Sequence, residues 1–251
     1  MAAPDIAFGQ SLGKRERQED CIAVVPGPPE RPRWLILSDG MGGAAGGDIA
    51  SALIVSTFAA SLSRLDGEPA AAGSALRTAA FEANKALRSA MRKDPDLSGM
   101  GGTLLSVFLA PSGMLFFSMG DSPLYLVRAG QIWRINADHS IGGALDEAVR
   151  RGELSKEEAA GRSDRNMITS VLMGEPIEAM RMDEAADIVP LVPGDVLILA
   201  SDGLETLPED EIARIASVKG PSQKIVDDLL EAVEVRGRPR QDNASAIVAR
   251  W

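Results

Sequence analysis

Four apolar segments follow one another from Gly102 onward with no room for a helix between them. GTLLSVFLA begins at Gly102, MLFFSMG at Met114, LYLVRAG at Leu124 and QIWRI at Gln131. The breaks PSG and RAG have the length and residues of hairpin turns, so this run must pair antiparallel. Further strands are expected at Ile6 to Gln10, at Cys21 to Val25, at Trp34 to Ser38, in DVLILAS from Asp195 and in the closing ASAIVAR. Helices fall in pairs outside the run. One pair is expected from about Gly47 to Leu62 and from about Ala70 to Arg92, the second helix carrying Leu76, Ala80, Ala83, Leu87 and Met91 on one stripe. Another pair is expected at Glu209 to Ser217 and Ser222 to Val235. Strands in runs and helices in pairs mean an α+β fold with segregated layers, not alternating βαβ units.

The stretch WLILSDGMGGAAGG, Trp34 to Gly47, admits two readings. Gly40, Gly42 and Ala45 fit the turn that cradles a dinucleotide pyrophosphate at a helix N-terminus. That turn needs its helix to lead into a parallel strand, whereas here helix leads into helix, and Asp39 would face the phosphate. The other reading is a carboxylate held out toward a cation.

Asp39 has counterparts. LILSDG at Leu35 to Gly40 is echoed by LILASDG at Leu197 to Gly203, LFFSMGDS stops at Asp121, and Asp242 stands just before the final strand. Asp-Gly is ordinary turn chemistry, and for one such site that is the alternative. Four that converge would repel, by about 4 kcal/mol per pair at 4 Å and an effective dielectric near 20. Protons or cations must then neutralise them. Carboxylate oxygens without a His or Cys cluster suit Mg²⁺ or Mn²⁺ and not zinc. A glycine after the aspartate lets the backbone turn sharply and offer a carbonyl oxygen.

KRERQEDC places Arg15 four residues before Glu19, with Asp20 at the mouth of the Cys21 strand. Such a charge run is often a solvated face. Beside a carboxylate cluster, an arginine is the natural clamp for a pair of phosphate oxygens.

With 251 residues, 45% of them hydrophobic, the chain suits one large domain, or at most two. A net charge of −10 argues against a nucleic-acid partner. No long apolar run suggests a membrane span, the first twenty residues do not resemble a secretory signal, and a single cysteine, Cys21, leaves no disulfide framework. A cytoplasmic location is the expectation.

These motifs, in this order, resemble the metal-dependent PPM family of protein serine/threonine phosphatases, also called protein phosphatase 2C, in its bacterial type. RERQED is similar to the family's R-x-x-x-E-D, DGMGG to D-G-x-G-G, GGT at Gly101 to Thr103 to S-G-T, and MGDSPLYL to G-D-S-R-x-Y. ADHS, NMITSVLMG, SDGL and QDN resemble the later elements, so the likeness runs from Arg15 to Val248. It implies a four-layer α-β-β-α sandwich: two antiparallel sheets packed face to face with helices outside, in one catalytic domain over residues 1–251. It also implies roles. Asp39 would bridge two metals, Asp202 and Asp242 would complete the first, and the Gly40 carbonyl with Glu19 or Asp20 would serve the second. Asp121 and Asp202 would hold a third, weaker one. Arg15 would bind the substrate phosphate and Asn243 would orient its neighbours. Residues of about 142–165, polar and irregular apart from a short helix opened by Ser155 and Glu158, would form a flap beside the site.

The reaction so implied is hydrolysis of phosphoserine and phosphothreonine monoesters by a water bridging two Mn²⁺ or Mg²⁺ ions, with Arg15 on the phosphoryl oxygens. No phosphoenzyme is implied, so Cys21 and Ser38 are not nucleophiles. The chain departs from the family at Met41, where some members carry a histidine, at Pro123 in place of arginine, and at Thr206, where some have a further aspartate. His139, the lone histidine, is read as structural. The expected partners are phosphoproteins, including a cognate serine/threonine kinase or its targets, with the enzyme a monomer. The alternatives are a silent pseudophosphatase that binds a partner and a metal-dependent phosphodiesterase.

Overall fold

Along each central strand, apolar side chains alternate between two different cores. The computed structural model describes residues 3–25, 33–62, 69–176 and 181–251. In chain order the elements are β1 (Asp5–Ser11), β2 (Asp20–Val25), β3 (Arg33–Met41), α1 (Gly43–Leu62), α2 (Pro69–Lys93), β4 (Gly101–Gly102), β5 (Leu104–Ala110) and β6 (Gly113–Met119). Then come β7 (Leu124–Arg128), β8 (Gln131–Arg134), α3 (Ile141–Arg150), α4 (Lys156–Ala160), β9 (Asp183–Glu184) and β10 (Val189–Pro190). The chain closes with β11 (Val196–Ala200), α5 (Glu209–Ala216), α6 (Ser222–Arg236) and β12 (Ala244–Arg250).

One sheet has the order β1-β12-β11-β7-β8 and the other β10-β6-β5-β3-β2, with β4 on β3 and β9 on β6. Every pairing is antiparallel. Leu35, Leu105, Val107 and Phe116 of one sheet meet Leu124, Leu126, Leu197, Leu199 and Ile247 of the other in a central core. Their neighbours point outward. Ile36, Phe108 and Phe117 pack under Ile54, Phe58, Leu76 and Leu87 of α1 and α2. Tyr125, Ile198 and Val248 pack under Ile212, Ile215, Ile225 and Leu229 of α5 and α6. The result is the four-layer α-β-β-α sandwich that the resemblance implied. Because helices cover both outer faces, the central strands are buried on both sides and largely apolar, with a few buried serines such as Ser106 and Ser118. They do not alternate with polar residues as in half-solvated antiparallel sheets.

Three local expectations need correction. β3 does not stop at Ser38 but continues through Asp39 and Gly40 to Met41, because β4 pairs with its end, Gly40 opposite Gly102. α1 accordingly begins at Gly43 and not near Gly47. The segment 142–165 is not irregular: it holds α3, whose Ser140 cap accepts from the Gly143 amide, as well as the capping-box helix α4 at Ser155. Its polar surface conceals the helix because α3 buries little. No helix among the described residues is long and apolar enough to cross a membrane.

Candidate metal and phosphate site

Asp39 lies in β3, Asp202 just beyond β11, Asp242 just before β12 and Asp121 just beyond β6, so both sheets supply carboxylates to one end of the sandwich. Burial first, and then the charges of Asp20, Asp202, Asp121 and Asp242, hold the Asp39 carboxyl well above the usual range. Asp121 is pushed up to about 7 by burial, Asp202 and Asp138. Asp202 is pushed up to about 6 by burial and Asp242, against the pull of Arg15. Burial is the largest cause for each group and the neighbouring carboxylates add to it, which is the signature of a site that needs cations or protons.

Two further strands of structure position this cluster. The Asp39 amide donates to Thr103 Oγ1 (2.9 Å), the Thr103 amide donates to the Asp39 carbonyl (2.8 Å), and the Thr103 and Ser122 hydroxyls are bonded (2.8 Å). The GGT motif therefore fixes Asp39 and reaches the loop that carries Asp121. Asn243, 3% exposed, accepts from the Glu19 amide (2.8 Å) and donates to the carbonyls of Leu12 and Arg17 (both 3.0 Å). It thereby shapes the whole loop that presents Arg15 and Glu19. Arg15 Nη2 meets Asp242 Oδ2 at 2.5 Å at the solvent edge of the cluster.

Glu19 and Asp20 diverge. A Cβ placed on Gly47 would lie 2.5 Å from Glu19 Oε1 and 2.9 Å from the Gly40 carbonyl oxygen, so these two oxygens share one cradle over α1. Gly40 is needed there because a Cβ would stand 2.0 Å from the Gly47 carbonyl oxygen, a close approach and not the sharp turn expected from sequence. Asp20 sits opposite Asp39 in the β2–β3 register, but its Oδ2 accepts from the hydroxyls of Ser201 (2.7 Å) and Ser245 (2.6 Å) on the other sheet. Burial pushes it up to about 6 despite those bonds. Sequence reasoning missed both serines, which carry no signal apart from their place beside Asp202 and Asn243.

It also missed Arg134, Asp138 and Glu205. Arg134 donates to the Asp121 carbonyl, to Glu205 (3.0 Å) and to Asp138 (3.5 Å), and Tyr125 donates to Glu205 (3.2 Å). His139 is 5% exposed, accepts the Gly120 amide through Nδ1 (3.2 Å), and burial lowers its pKa. It is tied into the loop beside Asp121 as a neutral ring. Cys21 is half-buried, and burial with the Asp20 charge raises its thiol pKa, the reverse of an activated nucleophile.

As the side chains stand, no group of three or more His, Cys, Asp and Glu among the described residues is arranged to hold a metal ion. The donor set nevertheless fits hard divalent cations. Asp121 Oδ1 and Asp202 Oδ1 are buried with no hydrogen-bond partner, and the Glu19–Gly40 cradle presents two more oxygens. A groove of about 1790 Å³ runs from Asp121 and Asp202 past His139 to α3, Arg165 and Arg238.

Residues 18–244 match the family model described as Protein phosphatase 2C. The chain is 34% identical over 220 residues to the serine/threonine protein phosphatase PstP of Mycobacterium tuberculosis, covering 86% of this chain and 40% of that one. It thus spans about two fifths of that relative's length. Its fold is similar to a Streptococcus agalactiae serine/threonine phosphatase structure, with a TM-score of 0.86 at 27% identity, covering 98% and 99% of the two chains. It is also similar to the PstP catalytic domain in complex with two manganese ions, with a TM-score of 0.78 at 28% identity over 99% and 98%.

Proposed function

The chain belongs to the protein phosphatase 2C family, and on that premise we propose that it is a metal-dependent phosphatase of phosphoserine and phosphothreonine in proteins. One observation carries the reading. Carboxylates from both sheets meet beside Arg15 with Asp121 Oδ1 and Asp202 Oδ1 buried and unpartnered. Asp39, Asp202 and Asp242 would hold one Mn²⁺ or Mg²⁺ ion, and Asp39, Glu19 and the Gly40 carbonyl a second. Asp121 and Asp202 would hold a third, weaker one. Asp20 belongs behind these ligands, since its Oδ2 is committed to Ser201 and Ser245.

Bound there, the cations would supply charge neutralisation and an activated water for in-line attack on phosphorus. The protein does the rest. Arg15, half-exposed at the cluster's edge, is free to trade its bond to Asp242 for phosphoryl oxygens, a planar fork meeting a tetrahedral anion. Asn243 keeps the Arg15 and Glu19 loop in place, and the Thr103 pair keeps Asp39 in place. Neither Cys21 nor His139 is poised as a nucleophile: the Cys21 thiol is raised, and His139 is engaged with Gly120. The carboxylate set is complete, which lends a silent, partner-binding role no support. We place the protein in the cytoplasm as a monomer opposing a serine/threonine kinase, with residues 142–165 as a flap over the groove.

The test is hydrolysis by chelated and Mn²⁺-restored protein of a phosphothreonine peptide, a chromogenic phosphate monoester and a phosphodiester. Metal-restored turnover of both monoesters is expected. Turnover of the diester alone would overturn the reading.

A further inference from the structure

The rim of the site is cationic on one side, in a chain with 36 acidic and 26 basic residues. Two loops far apart in sequence meet there. The Lys14 amide donates to the Gln241 carbonyl (2.8 Å), and a Cβ on Gly13 would stand 2.3 Å from the Asp242 carbonyl oxygen. Asn243 braces the first loop at Leu12 and Arg17, while the buried Gln241 side chain braces the second at Gly203 and Thr206. The junction therefore fixes Lys14, Arg15 and Arg17 beside Arg238 and Arg240, all five exposed, with Glu16 the only acid within the two short segments.

The protein uses little of this charge itself. Arg15 meets Asp242, and Arg17 reaches Asp48 only at 3.4 Å. Arg238 touches the Thr206 carbonyl at 3.4 Å. Lys14 and Arg240 have no carboxylate partner among the described residues. Like charges gathered on braced loops repel, and nothing in the fold requires them there. Arg238 also lines the groove that holds Asp121 and Asp202, so the rim reaches the path of a substrate at that residue. A field of one sign at a cleft concentrates ligands of the other sign.

We propose that this rim, Lys14 and Arg17 with Arg238 and Arg240, selects phosphoprotein segments that carry further anionic groups next to the phosphorylated residue. The proposal rests on the phosphatase reading above and adds its substrate class. Arg15 takes the phosphate to be removed, and the other four pair with neighbouring carboxylates or a second phosphate. Such exposed pairs are individually weak and screened by salt, and their contributions accumulate over several contacts.

The test compares wild type with Lys14→Ala/Arg238→Ala/Arg240→Ala in Mn²⁺, and with Lys14→Glu/Arg240→Glu, which leaves the Arg238 contact intact. The substrates are one phosphothreonine peptide with neutral, aspartate-rich or phosphothreonine flanks, and p-nitrophenyl phosphate. Peptide binding is followed separately by fluorescence anisotropy. Wild type should favour the anionic flanks, the two arms showing whether carboxylate or phosphate serves better. The triple variant should lose about tenfold in kcat/KM on them through KM, with less dependence on salt and unchanged p-nitrophenyl phosphate turnover. Equal turnover and binding of all flanks by wild type would overturn the rim proposal alone. Parallel losses on every substrate would also overturn it and make the rim a support of the fold. Failure of wild type to hydrolyse any monoester would overturn the phosphatase reading instead, and the anisotropy comparison would still decide whether the rim binds anionic peptides.

Discussion

Asp39 and Asp202 come from opposite sheets, yet the Asp202 charge stands close enough to help hold the Asp39 carboxyl above its usual range. Crowded carboxylates are relieved by protons when no cation is present, and burial with the charges of Asp20, Asp202, Asp121 and Asp242 favours one on Asp39. A cation and that proton compete for the same oxygens. Mn²⁺ binding near pH 7 is therefore expected to release at least one proton. Calorimetry in two buffers of different ionisation enthalpy checks this, and identical heats in both would contradict it.

The same cluster sets the pH dependence of the metal-free protein. Asp20 and Asp202 sit at about 6 and Asp121 at about 7, all above their ordinary 3.8. Folded values above unfolded ones mean that the protonated groups stabilise below pH ~4 and that this stability is lost as pH rises through about 6–7. For Asp121 alone the loss is on the order of 4 kcal/mol. Metal occupancy replaces the protons. The gain in Tm on saturating Mn²⁺ should thus be larger at pH 8 than at pH 5, and a gain independent of pH would count against the cluster.

Asp39→Asn should abolish turnover, because the substitution removes the one carboxylate proposed for both core metals. Arg15→Ala should spare Mn²⁺ affinity and raise KM for phosphopeptides by the equivalent of a lost charge-assisted bond, ~1.5–3 kcal/mol. Unaltered steady-state kinetics in Arg15→Ala would return Arg15 to the surface charge run.

Asn243→Ala removes three hydrogen bonds from a nearly buried side chain, one to the Glu19 amide and two to the β1–β2 loop. A stability loss of about 1–3 kcal/mol in denaturant is expected, with weaker Mn²⁺ binding because Glu19 is released. If Mn²⁺ titration matched wild type, Asn243 would be a fold residue only.

The segment proposed as a flap, residues 142–165, can be excised with its ends in place, since the Gly142 amide donates to the Arg165 carbonyl (2.7 Å). Replacing residues 143–164 with a short Gly-Ser linker should spare the chromogenic ester and impair phosphopeptide turnover. Equal loss on both would show that α3 and α4 support the site.

The layered α+β class was legible because hairpin turns between apolar segments leave no other pairing, and because paired helices have only outer faces to cover. Asp39, Asp121, Asp202 and Asp242 were legible as acids at strand ends. The α3 helix was not, since a helix that buries only Gly142 leaves a polar pattern. β9 and β10 were not, since two residues have no periodicity.

The sequence by itself determined which chemical groups exist and in what order: an arginine, a carboxylate set without histidine or thiol partners, and the glycines that allow backbones to meet. Only the tertiary structure decided how Glu19 and Asp20 divide. Strand pairing turns successive side chains to opposite faces, so adjacent acids cannot share one environment. Glu19 was sent to the Gly40 carbonyl over α1 and Asp20 to the serines of the opposite sheet. The cationic rim was likewise invisible in the chain, because Lys14 and Arg240 become neighbours only when β12 pairs with β1 and brings residue 241 against residue 14.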